Sequence, residues 1–354
     1  MDRQKLRVVV IDDSRTYREV LKLLLQADGD IEVVGEASDG DEGIEVVLAR
    51  KPDLVTMDIE MPGLDGLSAI KRIMAELPVP ILVVTGRPSS RSTMLFQALE
   101  IGALDLVVKP SIVERESAVA FRNVVRRLAG TAVGPRSMSL APPDAEAEAT
   151  EASTRREAKM VGIVGSTGGP QATLHILRQL SASFPLPIAI VQHLPPGFED
   201  AYARFLAQST TLAVEVVRDS VVPTAGTVWL ANSSHHLICE AGGKLATTSE
   251  PPEGPRPSAD VLFRSMADVF GDGAVGIILS GAGTDGVQGL RELHARGALT
   301  IAEHERSALD NEGPRRAVAE GVVERTMSPQ LIGGALVALA YPQERLPTLP
   351  PPDG

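Results

Sequence analysis

The chain contains a single cysteine, Cys239, among 354 residues. An internal disulfide framework is therefore impossible, and a cysteine-built metal site is disfavoured. Concentrated positive charge is also missing. Basic residues number 34 against 46 acidic ones, for a net charge of −12, and the basic clusters are short pairs such as Arg126–Arg127 and Arg315–Arg316. A nucleic-acid-binding protein normally carries a basic footprint, so that class is disfavoured. No apolar run approaches the ~20 residues that span a bilayer. The longest candidate, Leu331 to Tyr341, reaches about half that length and contains two glycines. The opening Met1-Asp2-Arg3-Gln4-Lys5 leads straight into a short apolar strand and does not read as a secretory signal. A cytoplasmic protein without direct membrane insertion is expected.

What remains is an ordinary globular composition, 44% hydrophobic and 23% charged. The length predicts two or three domains. Residues 1–128 alternate β-rich runs with helical spacing. Strands are expected at Leu6–Ile11, Ile31–Ala37, Leu54–Met57, Ile81–Val84 and Leu106–Val108. Five βα units of this kind predict a doubly wound parallel sheet, with active residues at the carboxyl ends of its strands. Residues 129–157 are rich in Ala, Glu, Pro, Ser and Thr and read as a flexible linker. A second α/β pattern occupies 158–342, with strands expected at Met160–Val164, Pro187–Val191, Ala213–Val217, Thr227–Leu230, Ala274–Leu279 and Leu299–Ala302. Residues 343–354 read as a disordered Pro-rich tail.

Chemistry-bearing residues fall at the predicted strand ends. In the first domain these are Asp12 and Asp13, Asp58, Thr85 and Lys109. Clustered carboxylates repel one another, and a hard divalent cation such as Mg2+, which prefers oxygen ligands, relieves that repulsion. A lysine and a hydroxyl beside them suit a phosphoryl group, with Asp58 as a carboxylate nucleophile. Taken singly, Asp13 or Ser14 also reads as a helix cap and Asp58 as a turn residue. In the second domain, Ser166 follows a strand within GSTGG, His193 ends another in VQHLPP, and Asp285 lies in the glycine-rich turn SGAGTDG. Serine, histidine and carboxylate together suit acyl transfer, since the imidazole takes the serine proton and the carboxylate orients the imidazole. Val164 replaces the first glycine of G-x-S-x-G, and the chain order Ser–His–Asp is not that of an α/β-hydrolase. The bland alternatives are helix caps at Ser166 and Asp285 and a loop position for His193. A rival reading takes Gly281 to Gly286, with Glu303 downstream, as a dinucleotide fingerprint.

The motifs VVVIDDS, TMDIEMPGLDGL, ILVVTG and GALDLVVKP make residues 1–128 resemble a response-regulator receiver domain. The resemblance implies a flavodoxin-like fold, phosphorylation at Asp58, Mg2+ held by Asp12, Asp13, Asp58 and the Glu60 carbonyl, and phosphoryl contacts from Thr85 and Lys109. Leu106 stands where the family usually carries an aromatic switch residue. The stretches VGIVGSTGGPQAT, IVQHLPPGF, GTVWLANSSHHL, RPSADVLFRSMA and LSGAGTDGVQGL make the second domain resemble the chemotaxis protein-glutamate methylesterase (CheB) family, with a Rossmann-like α/β fold. This implies Ser166 as nucleophile, His193 as general base and acid, and Asp285 as orienting carboxylate. Thr167 and Ala282 would form the oxyanion pocket, and the backbone N–H of His193 is a further candidate donor. Ala282 stands where the family usually has Met, and Glu312-Gly313-Pro314-Arg315 replaces Gly-Met-Pro-Arg. The implied activity removes methyl esters from glutamates, and amides from glutamines, of chemoreceptors, under control of a sensor histidine kinase and with no cofactor for the ester step. The competing expectation from another class is a two-component signalling scaffold with a catalytically weak or inactive esterase-like domain.

Overall fold

A computed structural model describes residues 5–86, 88, 92–111, 113–131, 133 and 157–341. Most of the expected linker and all of the expected tail lie outside these residues.

The first domain runs β1 (Leu6–Ile11), α1 (Arg15–Gln26), β2 (Ile31–Ala37), α2 (Gly40–Arg50), β3 (Leu54–Met57), α3 (Gly66–Glu76), β4 (Ile81–Thr85), α4 (Thr93–Glu100), β5 (Asp105–Val108) and α5 (Arg115–Leu128). Its five strands are parallel, in the order β2-β1-β3-β4-β5. Central strands are buried on both faces because helices cover both: Val8 to Ile11 is unbroken apolar, and Leu54 to Met57 is apolar but for Thr56, with every residue of both runs buried. Helix starts follow from short polar side chains. Ser14, Asp39 and Asp65 accept the N–H groups of Tyr17, Glu42 and Ser68, satisfying donors that each first turn leaves open. α1 then buries Leu21, Leu24 and Leu25, at the three- and four-residue spacing of one helix face.

The second domain contains β6 (Met160–Gly165), α6 (Gly169–Leu177), β7 (Ile188–Gln192), α7 (Glu199–Ser209), β8 (Ala213–Val217), β9 (Thr227–Ala231), β10 (His236–Glu240), β11 (Lys244–Thr248), α8 (Ala259–Phe270), β12 (Ala274–Ile278), α9 (Val287–Ala295), β13 (Leu299–Glu303), α10 (Glu312–Ala319), β14 (Arg325–Met327) and α11 (Pro329–Ala340). Seven parallel strands lie in the order β14-β13-β12-β6-β7-β9-β8. The order reverses at β6, the first strand, which is where ligands bind in such sheets. β10 and β11 form a separate antiparallel hairpin packed against α8.

The expected strands stand within one or two residues of their predicted limits, and three elements were not foreseen. The hairpin hides because HLICE and KLATT mix polar and apolar residues and neither is an unbroken apolar run. β14 is a three-residue edge strand, too short to show periodicity. The apolar run from Leu331 lies in α11, twelve residues long, and no helix among the described residues is long and apolar enough to cross a membrane.

The two domains pack against one another. Phe96 of α4 meets the rings of Tyr202 and Phe205 on α7, with centroids 4.9 and 5.8 Å apart. Glu100 pairs with Arg178, and Gln171 of α6 donates to the carbonyls of Ala103 and Leu104. The Arg126–Arg127 pair is consumed internally. Arg126 binds Asp28 and Asp30, while Arg127 crosses to the second domain and pairs with Asp310 at 2.9 Å.

Candidate active site

In the first domain the carboxyl ends of β1 and β3 bring Asp12, Asp13 and Asp58 together, with ligand oxygens within 4.8 Å of one another. The Lys109 ammonium, just past β5, lies 2.6 Å from both Asp12 and Asp58 and 4.4 Å from the Tyr17 ring centroid. Burial alone would lower the Lys109 pKa, but its bonds to the two carboxylates outweigh that and raise it. Burial raises Asp12, partly offset by Lys109. Asp58 Oδ1 accepts the Glu60 N–H at 3.0 Å. Thr85, the last residue of β4, is buried beside this group of strand ends. Three oxygen-bearing acids at one rim form a donor set that fits a hard divalent cation.

In the second domain three adjacent strands, β7, β6 and β12, present the other residues. Ser166 follows β6 directly and His193 follows β7, its N–H bonded to the Gly165 carbonyl at 3.0 Å. Asp285 ends the Leu279–Gly286 turn ahead of α9. Ser166, His193, Gly281, Ala282, Gly283 and Asp285 line one narrow cleft of about 20 Å³, room for about one water. Close approach of the turn requires glycine at 281, where a Cβ would stand 2.8 Å from the Ser166 Cβ.

The His193–Asp285 pair is well defined. His193 Nε2 lies 3.0 Å from Asp285 Oδ2 and 3.1 Å from the Pro257 carbonyl. Both partners accept, so Nε2 carries the hydrogen and Nδ1 keeps its lone pair. Asp285 also accepts the Ser258 hydroxyl at 2.8 Å and the N–H groups of Ala259 and Asp260 at 2.7 and 3.1 Å. Burial pushes its carboxyl up, but the bonds from His193 and the two amides outweigh that and hold it below the ordinary value. Among the described residues the Ser166 hydroxyl has no hydrogen-bond partner; a hydroxyl, an imidazole lone pair and a fixed carboxylate at one cleft constitute the equipment for acyl transfer. The thiol offers no competing nucleophile, because burial pushes Cys239 up to about 12.

One site expectation needs correction, and the rival reading fails. The His193 N–H is not an oxyanion donor, since the Gly165 carbonyl occupies it. Glu303 cannot serve a ribose, as a dinucleotide fingerprint would need: it is 2% exposed and accepts the Ser280 N–H at 2.8 Å. Thr167 and Ala282 flank the serine as expected, and among the described residues neither gives its N–H to a protein acceptor. Thr167, however, is covered by the first domain. Its hydroxyl donates to Asp105 at 2.7 Å and accepts from Arg127 at 3.0 Å. Loss of water pushes the Asp105 carboxyl above its ordinary value, with the Thr167 hydroxyl offsetting part of that.

Sequence reasoning missed Asp105, Arg127, Ser258, Pro257, Ser280 and Asp310. Ser258 had a visible signal, since Ser-Ala-Asp ahead of an apolar helix reads as an N-cap. It does cap α8, through Val261 N–H, and uses the same hydroxyl on Asp285. The others act across domains or loops, where spacing carries no signal.

Comparison with known proteins identifies the family. The family description "CheB methylesterase" matches residues 161–336, and "Response regulator receiver domain" matches residues 8–118. The protein-glutamate methylesterase/protein-glutamine glutaminase 3 of Anaeromyxobacter dehalogenans is 38% identical over 338 residues, covering 94% of this chain and 98% of its own length. The protein-glutamate methylesterase/protein-glutamine glutaminase of Symbiobacterium thermophilum is 36% identical over 348 residues, covering 94% and 96%. The chain belongs to the CheB family. Among solved structures, the Thermotoga maritima CheB methylesterase catalytic domain is matched with a TM-score of 0.49 and 30% identity, covering 51% of this chain and 98% of that one. The departures from the CheB pattern now have positions. Ala282 lines the cleft, and the Glu312 carboxylate accepts the Gly283 N–H at 2.8 Å, bracing the turn that carries Ala282.

Proposed function

We propose that this chain is a phosphorylation-activated serine hydrolase that removes methyl esters from glutamate side chains, and amides from glutamine side chains, of chemoreceptors. The observation that carries the reading is the imidazole of His193, fixed by Asp285 on one nitrogen and free on the other, at the strand end beside Ser166. Ser166 Oγ attacks the ester carbonyl while His193 Nδ1 takes its proton. The imidazolium returns that proton to the leaving methanol, or to ammonia from an amide. Water then resolves the acyl-enzyme by the same path, leaving a free glutamate. Asp285 stabilises the imidazolium that forms between these steps. The Thr167 and Ala282 amides, at the mouth of α6 and in the 279–286 turn, are the donors for the tetrahedral oxyanion. The positive end of the α6 dipole favours the same charge.

The first domain is the switch. Asp58 is the phosphoacceptor, Asp12, Asp13, Asp58 and the Glu60 carbonyl would hold Mg2+, and Thr85 and Lys109 would contact the phosphoryl group. When bound, Mg2+ neutralises the charge that develops on the transferring phosphoryl oxygens. A sensor histidine kinase is the phosphate source. In the docked arrangement Asp105 and Arg127 hold the Thr167 hydroxyl beside the nucleophile, and the cleft has no room for an ester. A phosphoryl charge at Asp58 shifts the population toward an undocked form.

The test is methanol release from methylated receptor, with and without a phosphodonor. The intact protein is expected to be slow without phosphate and fast with it, and Ser166→Ala to be inactive yet folded. Wild-type turnover by that variant would falsify the nucleophile. Removal of residues 1–130 is expected to raise basal activity. A truncated enzyme no faster than the intact, unphosphorylated one refutes docking inhibition.

A further inference from the structure

His236, at the head of the β10 hairpin, has no solvent exposure and takes no part in the chemistry above. Its two ring nitrogens are both engaged. Nδ1 accepts the Ser258 N–H at 3.0 Å, and Nε2 faces the Pro251 carbonyl at 2.9 Å. A backbone N–H only donates and a carbonyl only accepts, so the ring is neutral with its hydrogen on Nε2. The imidazole thus ties both ends of the 251–258 segment to the start of β10.

That segment clamps the catalytic pair. Its Ser258 hydroxyl donates to Asp285 Oδ1, and its Pro257 carbonyl shares the His193 Nε2 hydrogen with Asp285 Oδ2. The following Ala259 and Asp260 amides complete the donors to Asp285. Arg256 adds a second donor to the Pro251 carbonyl, at 3.2 Å. One buried ring therefore stands behind every group that orients Asp285 from the α8 side.

We propose that His236 is a positioning residue for the ester-hydrolysis step: as a neutral acceptor for the Ser258 N–H it fixes the segment that orients Asp285 and His193. The inference rests on the serine-hydrolase reading. Ser258, through its backbone, is the link between the two histidines. Losing the Nδ1 acceptor leaves a buried N–H unsatisfied and frees the Ser258 hydroxyl and the Pro257 carbonyl to drift. The expected consequence is a fall in kcat with little change in KM, because the substrate-facing surface is untouched.

The experiment compares His236→Asn, His236→Gln and His236→Leu in the full-length, phosphodonor-activated protein. It reads methanol release and the low-field N–H resonance of His193. Asn keeps a carbonyl near the Nδ1 position, whereas Gln places its amide nearer to Nε2 and Leu offers neither. Asn is expected to retain most of kcat and the resonance. Gln and Leu are expected to lose at least about tenfold in kcat, a barrier rise of ~1.4 kcal/mol, with KM held and the resonance broadened or shifted. Equal kcat in folded Asn and Gln variants overturns the inference, whether or not Leu folds. So does a folded Leu variant with wild-type kcat and an unmoved His193 signal. An inactive wild-type protein would instead overturn the hydrolase reading, and the His193 resonance still tests the clamp in that case.

Discussion

Glu303 is a buried carboxyl kept for its bonds to Ser280 and Ser307, and replacing it by glutamine exposes the cost of burying it. The side chain is 2% exposed, and burial raises its carboxyl from 4.5 to about 7 despite the Ser280 N–H and the Ser307 hydroxyl. The folded state therefore holds the proton more tightly than the unfolded chain does. The stability this provides is fully present below pH 4.5, is lost as pH rises toward 7, and stays lost above it. At ~1.4 kcal/mol per tenfold change, the loss amounts to roughly 3 kcal/mol at pH 8 and above. Glu303→Gln keeps an oxygen for the Ser280 N–H and never ionises, so it escapes the loss. For a domain of this size 1 kcal/mol moves Tm by about 2–4 °C. The variant is thus expected to melt roughly 6–12 °C above the parent at pH 8.5 and close to it at pH 4.5. The assay is simple because Trp229, the chain's one tryptophan, is buried in β9 of the same domain, and its fluorescence reports that domain alone. An equal Tm difference at both pH values, or a lower Tm at pH 8.5, refutes the burial argument.

Other expectations follow from single contacts. Gly281→Ala drives a methyl group against the Ser166 Cβ at 2.8 Å and is expected to cost more than about tenfold in kcat while the domain still folds, checked by methanol release beside Trp229 fluorescence. Glu312→Ala releases the Gly283 N–H, and losing a bond worth ~1 kcal/mol is expected to slow turnover about fivefold. Asp285 is held below the ordinary carboxylate value, so its stabilisation is complete above pH 4 and disappears as pH falls through its folded value; Asp285→Asn is expected to flatten the acid limb of the unfolding curve. Arg127→Ala removes the Asp310 pair and a bond to Thr167. With the guanidinium one-third exposed, about 1–2 kcal/mol of docking is expected to go, and unphosphorylated activity to rise about fivefold or more.

Much of this architecture was legible because local and global signals agree. VVVI and VGIV are unbroken apolar runs, as strands covered on both faces must be, and the polar residues that follow them fall at strand ends. That is why Asp12, Asp58, Ser166 and His193 were placed by reading alone. The hairpin at His236 was not, since its two five-residue strands match the parallel strands in length but lack their apolar composition. The residues that fix the site were less visible still. Asp285 could be chosen from its motif, but its orientation depends on Ser258 and Pro257, nearly thirty residues upstream, and on a histidine further back. Asp105 stands one residue before the expected strand Leu106–Val108 and carries no motif of its own. Its significance lies in the partner domain, and no pattern within residues 1–128 carries that information.

Asp105 and Lys109 bear on how a signal would leave the proposed phosphorylation site. They sit at opposite ends of β5, roughly 13 Å of extended chain. β5 is an edge strand, paired only with β4, so it has one neighbour to restrain it. Lys109 bridges Asp12 and Asp58, while Asp105 holds Thr167 beside the nucleophile. Leu106, between them, is buried and has no ring to swing. On the proposed reading, displacement of the β5 backbone is the direct route from Asp58 to Asp105 and Thr167. On that account Asp105→Ala uncouples the domains, giving high basal activity and little further stimulation by a phosphodonor. Leu106→Ala leaves the Asp105–Thr167 bond in place and keeps the stimulation. Coupling is reciprocal, so docking that is relieved by phosphate must also resist phosphate. Asp105→Ala is expected to reach half-maximal phosphorylation at a lower phosphodonor concentration than the parent, read by phosphate incorporation at equilibrium. Low basal activity with full stimulation in Asp105→Ala, or an unchanged phosphorylation midpoint, refutes the β5 route.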